Sequence, residues 1–136
     1  EELKKYYNLR YELLRKPWGQ PSGSERDERE ETSIHRMIID NKTENALAVG
    51  RLQFNSTHEA QIRFMAVADD LQGKGLGSQI ISALENVARE NGIQKIILSA
   101  RGNALQFYKS NGYAIVEKTH LLFGEIQHWL MEKELS

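Results

Sequence analysis

The stretch "IRFMAVADDLQGKGLGSQIISALE" constrains this chain more than any other, because it joins an apolar run to an amphipathic one through Gly73, Gly75 and Gly77. "AQIRFMAV" reads as a strand. Leu76, Ile80, Ile81, Leu84, Val87 and Ala88 fall on one face at helical spacing, and Asn91-Gly92 supplies a stop. A strand therefore enters a helix through a turn stripped of side chains. Such a turn exposes successive backbone N–H groups at the positive end of the helix dipole, where an anion binds. Each charge there is worth roughly 0.3–1 kcal/mol at exposed sites. The same glycines would also serve a tight turn or close helix packing.

Spacing tests the known phosphate-binding turns. A nucleotide P-loop ends in Gly-Lys-Ser/Thr, whereas Lys74 is followed by Gly75 and the earlier glycine position holds Ala68. A dinucleotide fingerprint begun at Gly73 meets Ser78 where its third glycine belongs, and one begun at Gly75 meets Ile80.

Leu3, Tyr6, Tyr7, Leu13 and Leu14 recur at helical spacing until Pro17 stops the pattern. "KPWGQPSGSERDERE" reads as a long loop with a short helix near Glu25 to Glu31. "SIHRMIID", "ALAVGRLQF" and "AQIRFMAV", separated by the polar "NKTEN" and "NSTHE", predict an antiparallel meander. "KIILSA" has the composition of a strand covered on both faces. "NALQFYKS" predicts a short helix with Asn103 as N-cap, closed by Asn111-Gly112, and "YAIVEKT" and "IQHWLMEKEL" predict two more strands. The order is helix, three strands, helix, strand, helix, two strands, which predicts a mixed α/β fold around one sheet, in one domain spanning 1–136.

With 18 Lys and Arg against 19 Asp and Glu, no global field draws the chain to nucleic acid or an anionic membrane, so any charged ligand is held locally. The absence of cysteine excludes disulfides, thiolate–zinc sites and a cysteine nucleophile. No histidine pair has helical zinc spacing, so no metal is expected. No run approaches the roughly 20 apolar residues that span a bilayer, and "EELKKYYNLR" lacks a signal-peptide core, so a soluble, cytoplasmic protein is expected.

Two blocks carry a resemblance to the Gcn5-related N-acetyltransferases (GNAT). Gln72, Gly75 and Gly77 fill the Gln/Arg-x-x-Gly-x-Gly/Ala turn of that family, and "ARGNALQFYKSNGYAIVEK" is similar to its following strand and helix through Asn103, Phe107, Tyr108 and Gly112-Tyr113. The resemblance runs from about Ala60 to Val116. Asp69 and Leu71 stand where the family often has a proline and an aromatic, and Asp69 and Asp70 are expected to face solvent.

This resemblance implies a mixed, mostly antiparallel sheet, splayed in the middle and flanked by helices. The family's usual first strand is not visible, so one sheet edge would be exposed or paired with a neighbour, as in a homodimer. It implies acetyl-coenzyme A as cosubstrate, its pyrophosphate on the backbone amides of Gln72, Gly73, Lys74, Gly75, Leu76, Gly77 and Ser78. A backbone N–H within Met65, Ala66 and Val67 would meet the thioester oxygen, worth roughly 10²–10³ in rate. Asn103 would contact the cofactor arm, Phe107 would lie beside the thioester, and Tyr108 would be the general acid. On the residues alone, Asn103 reads equally as a helix cap, Phe107 as core and Tyr108 as an aromatic closing that core.

The implied reaction is direct transfer of the acetyl group to a primary amine, of a small molecule or a peptide, through a tetrahedral intermediate. A non-catalytic acyl-coenzyme A-binding module is the alternative, and an unrelated nucleotide-binding domain is weakened by the failed P-loop spacing. The general base is not singled out: Arg63 is a candidate positioner, and His58, Glu59, His120 and His128 are candidate bases or ends of a water relay. His128, alone in a predicted strand, also reads as structural, and His35 as a surface residue. Trp18, between Pro17 and Gly19, either lines the acceptor side or plugs the core. The charge run Glu25 to Glu31 either attracts a cationic amine or forms a solvated helix face.

Overall fold

The computed structural model describes residues 2–123 and 126–135. Helix α1 (Glu2–Leu14) precedes an antiparallel meander of β1 (Ile34–Ile39), β2 (Ala46–Phe54) and β3 (Glu59–Val67). The glycine turn then leads into α2 (Leu76–Glu90), which returns the chain to β4 (Lys95–Arg101), parallel to β3. After α3 (Leu105–Ser110), β5 (Ala114–Leu122) and β6 (Ile126–Glu134) form a hairpin whose second strand pairs with β4. The sheet order is β1-β2-β3-β4-β6-β5, mixed because the β3–β4 pair alone is parallel.

Strand alternation gives the sheet two unlike faces. Ala48 and Leu52 of β2, Ile62 of β3, and Ile96, Leu98 and Ala100 of β4 bury against Ile80, Ile81, Leu84 and Ala88 of α2. Each aliphatic side chain removed from water there is worth about 1.5–3 kcal/mol. On the other face Val49 and Ala66 meet Tyr6 and Tyr7 of α1. That face continues into Arg51 and Gln53, both buried.

The polar face corrects several expectations. Residues 25–31 form turns, not a helix. Asp27 and Glu30 hold Arg51 at 2.6 and 2.8 Å, and Glu30 also holds Arg10 at 2.9 Å. Arg10 and Arg51 are each 0% exposed, so Asp27 and Glu30 of the run are taken up by buried cations, while Arg26, Glu28 and Glu31 stay exposed. Local composition could not reveal this, because the arginines that claim the carboxylates lie on α1 and β2. His35 is half-buried, with its ring nitrogens 2.8 Å from the Tyr6 hydroxyl and 2.7 Å from the Glu30 carbonyl oxygen. Leu3, expected on the buried face of α1, is 61% exposed, while Arg10 is buried in its stead. In β4 the burial alternates: Ser99 is exposed and Ile97 half-buried, so one face is covered rather than both.

Pairing of β3 with β4 runs from Glu59–Lys95 to Ile62–Leu98 and stops, although both strands continue. At that point β3 bulges. Arg51 pairs with Arg63 and Val49 with Ala66, leaving Phe64 and Met65 opposite Gly50 alone, and Phe64 has φ 57°. A left-handed backbone is costly for a bulky residue and turns the strand away from its neighbour. Gly50 makes room for the bulge: a Cβ there would stand 2.7 Å from Met65 Sδ and 2.5 Å from Ile80 Cγ2. The resulting V-shaped gap between β3 and β4 positions the site.

Candidate active site

Two clefts meet at this gap. One, of about 520 Å³, lies along the glycine turn and is lined by Met65, Ala66 and Val67 of β3, Gln72, Gly73, Gly75, Leu76, Gly77 and Ser78 of the turn and α2, and Asn103, Phe107 and Tyr108. The other, of about 290 Å³, is lined by Arg15, Trp18, Arg63, Phe64, Ser99, Arg101, Tyr108, His120 and His128 among others. Leu14, Met65, Arg101, Ala104 and Tyr108 belong to both. Of the residues singled out in the sequence for the first cleft, Lys74 alone lies outside its lining; it is exposed.

The turn has the conformation an anion site needs. Gly73 and Gly75 have φ 83° and 84°, a region L-residues rarely adopt, and nothing lies within 4 Å of where a Cβ would stand. Among the described residues no protein group accepts from the amides of Gly73 through Ser78; the first backbone bond comes from Gln79 to Gly75 at 3.1 Å. These free donors stand at the positive end of a helix of 15 residues. Gly77 serves another purpose. A Cβ there would stand 2.8 Å from Phe107 Cζ, so this glycine lets α3 close against α2. Asp69 and Asp70 are exposed, as expected, and the Gln72 amide donates back to the Val67 carbonyl at 3.4 Å.

Asn103 is not the N-cap of α3. It lies inside a single 3-10 turn, Gly102–Ala104, and α3 starts at Leu105 with no side-chain cap. Asn103 lines the turn cleft. Phe107 packs edge-on against Tyr108 at 5.0 Å between ring centroids, and Tyr108 against Tyr113 at 6.1 Å. Tyr108 is 8% exposed, and burial pushes its phenol up to about 12. None of the described residues hydrogen-bonds its hydroxyl, and it stands at the junction of the clefts.

The second cleft brings together Arg63, His120, His128 and Trp18, which the sequence singled out, beside an arginine cluster that it did not. The Phe64 ring is surrounded by the guanidinium groups of Arg10, Arg15, Arg51 and Arg63, at 4.2, 5.4, 4.8 and 4.8 Å from its centroid. Arg15 and Arg63 are held below the usual arginine range, by burial first and by neighbouring arginines next. Only register could have shown this, since Arg51 and Arg63 become neighbours when β2 pairs with β3. His128 of β6 stacks on His120 of β5, ring centroids 4.8 Å apart. Its Nδ1 lies 3.0 Å from the Ile126 carbonyl, which can only accept, so Nδ1 carries the proton and Nε2 a lone pair. Burial lowers the His128 pKa, as do His120 and Arg101, against the opposing Ile126 hydrogen bond. His58 and Glu59 sit at the far end of β3, outside both clefts. Trp18 lines the second cleft, 6.4 Å from the Phe123 ring centroid.

A strand that splays beside a glycine turn opening a helix, with a tyrosine at the crossing, defines an acyl-coenzyme A N-acyltransferase fold. The family described as Acetyltransferase (GNAT) family matches residues 3–113, and the chain belongs to it. An uncharacterized N-acetyltransferase of Bacillus subtilis, YjcF, is 30% identical over 134 residues, covering 98% of this chain and 94% of that protein. The fold is shared with a GNAT acetyltransferase from Elizabethkingia anophelis with acetyl-CoA bound, at TM-score 0.77 and 18% identity, covering 95% of this chain and 90% of that one. An aminoglycoside 6'-N-acetyltransferase complexed with coenzyme A superposes with TM-score 0.79 at 15% identity, covering 96% and 89%. Among the described residues no helix is long and apolar enough to cross a membrane, and no group of three or more metal-ligating side chains occurs.

Proposed function

We propose that the protein transfers the acetyl group of acetyl-coenzyme A directly to the nitrogen of a primary amine. The observation that carries this reading is the row of unpaired amides from Gly73 to Ser78, opening into a cleft that ends at Met65 and Tyr108. A diphosphate needs close approach to bare N–H groups, and the open space at Gly73 and Gly75 permits it. The bound coenzyme A and acetyl-CoA of the two structural neighbours support the same ligand here.

In the proposed reaction the cosubstrate lies in the turn cleft and the amine enters from the arginine-lined one. The gap beyond Ile62 leaves backbone N–H groups of β3 near Met65 without a β4 partner, and one of them polarises the thioester carbonyl. The amine nitrogen attacks the carbonyl carbon, the carbon–sulfur bond breaks, and the Tyr108 hydroxyl protonates the departing thiolate. A phenol pushed up to about 12 remains protonated throughout the working range. The Nε2 lone pair of His128, in the cleft the amine would occupy, takes the proton the ammonium must lose. Asn103 and Phe107 hold the pantetheine arm against α2.

The test is acetyl-CoA titration followed through the backbone amide resonances. Saturable shifts confined to Gly73–Ser78 and the Met65 region are expected, together with thiol release once an accepted amine is added. Shifts elsewhere would sink the reading. Tight binding with no release across an amine panel, unchanged by Tyr108→Phe, would leave a binding module in place of an enzyme.

A further inference from the structure

We infer that the amine acceptor also carries an anionic group, a carboxylate or a phosphate, which the guanidinium groups of Arg15, Arg63 and Arg101 receive. The inference rests on the acetyltransferase reading and concerns its second substrate. All three arginines line the second cleft, and no aspartate or glutamate among the described residues does. Arg15 donates through Nε to the Ser24 carbonyl at 3.1 Å and through Nη1 to the Leu14 carbonyl at 3.2 Å, so backbone acceptors hold it in place. Neither Arg15 nor Arg101 forms an ion pair among the described residues.

Arg63 has a partner, but a shared one. Asp27 lies 3.3 Å from it and simultaneously 2.6 Å from Arg51. Glu30 is likewise divided between Arg10 and Arg51, and Glu25 faces Arg26 at 3.7 Å. Asp27 and Glu30 form the ion pairs with the guanidinium groups around Phe64, and Glu25, paired with Arg26, acts on Arg15 only from beyond ion-pair distance. Arg10 and Arg51, whose Nε atoms are buried without a hydrogen-bond partner among the described residues, lie outside the cleft lining, so a ligand in the cleft meets Arg15, Arg63 and Arg101. A ligand anion would give Arg15, Arg63 and Arg101 the acceptor that the cleft lining lacks, and guanidinium groups suit the planar, two-oxygen face of a carboxylate or phosphate.

The same charge disfavours a polycation. An amine without an anion would enter a cleft of its own sign, whereas one anchored by an anion keeps its affinity. The surrounding guanidinium groups then favour the neutral, nucleophilic form of the nitrogen, because a like charge opposes the ammonium. A volume of about 290 Å³ fits a small molecule.

The experiment measures thiol release from acetyl-CoA with matched amines: phosphoethanolamine against ethanolamine, glycine against glycinamide, and spermidine as the polycation. Coenzyme A binding is measured separately by calorimetry. At least one anionic member is expected to exceed its neutral partner by about 10- to 100-fold in kcat/KM, the scale of a charged hydrogen bond or two. The phosphate and carboxylate pairs tell which anion is read. Arg15→Gln and Arg63→Gln should each remove most of that ratio, chiefly by lowering kcat/KM for the anionic member, and leave coenzyme A affinity as it was. Neutral amines matching the anionic ones, or spermidine preferred, would overturn the acceptor assignment and leave the acetyltransferase reading standing; absent coenzyme A binding would overturn that reading instead. If coenzyme A binds and none of the five amines reacts, inorganic phosphate and acetate are titrated into the coenzyme A-loaded protein, followed by tryptophan fluorescence. Saturation lost in Arg15→Gln supports the site, and no saturable anion binding overturns it.

Discussion

Around the turn before α2 the protein meets solvent with main-chain amides and apolar side chains, whereas across the β3–β4 gap, around Phe64, it does so with guanidinium groups. The first surface depends on backbone conformation, set by glycines at φ 83° and 84°. In the proposed reading it receives a diphosphate through main-chain amides. The second depends on Arg15 just after α1, Arg63 of β3 and Arg101 of β4, with Arg10 and Arg51 buried behind them. Its carboxylates come from a loop without regular structure. On the proposed reading, exchange of one arginine would alter acceptor preference without touching the turn.

Tyr108, common to both clefts, carries the largest expected effect: Tyr108→Phe lowers kcat by about 10²–10⁴ and leaves coenzyme A affinity unchanged. His128→Gln lowers kcat on a similar scale and changes its pH profile. In the proposed mechanism the active form of His128 is neutral and burial lowers its pKa, so kcat at saturating amine should fall only in acid, below the ordinary histidine range. The variant should lack that limb, and Tyr108 adds no alkaline limb below about 12. A limb that persists in His128→Gln would remove the histidine from the mechanism.

Arg51→Met tests the charged half through stability. It leaves Asp27 and Glu30 without their shared partner in a poorly solvated place, and about 3–5 kcal/mol should be lost in denaturant unfolding. A loss under about 1 kcal/mol would show that solvent reaches this cluster freely. Gly77→Ala forces Phe107 aside and should cost about 1–3 kcal/mol, with weaker coenzyme A binding. Unchanged binding would mean that Phe107 packs without contacting the ligand.

The smallest effect is in acid. Arg51 first, and the Arg29 backbone N–H next among the stabilising contacts, hold the Asp27 carboxyl down to about 2. Its folded pKa lies below its unfolded one. The stability it contributes is therefore complete above the ordinary carboxylate range and is lost as pH falls from about 4 toward about 2. Asp27→Asn should flatten that part of the stability curve.

Much of the apolar half is legible in the order of residues alone. The spacing of Ile80, Ile81, Leu84 and Ala88 marks the face of α2 that is buried, and the polar breaks at "NKTEN" and "NSTHE" set off β1, β2 and β3. The polar half is not, because a charged residue in sequence carries no mark of its partner. The run at Glu25 to Glu31 looks solvated until Arg10 and Arg51 are brought over it from α1 and β2. Asn103 looks like a cap until a 3-10 turn takes the position.

By itself the sequence determined the order of elements, the apolar faces and the bare turn at Gly73 and Gly75, because periodicity and glycine act locally and need no distant residue. The tertiary structure alone decided where β3 parts from β4, which arginines gather around Phe64 and that His128 offers a lone pair beside Tyr108's cleft. These depend on register across strands and on burial of charge, and both are settled only when segments far apart in the chain come into contact.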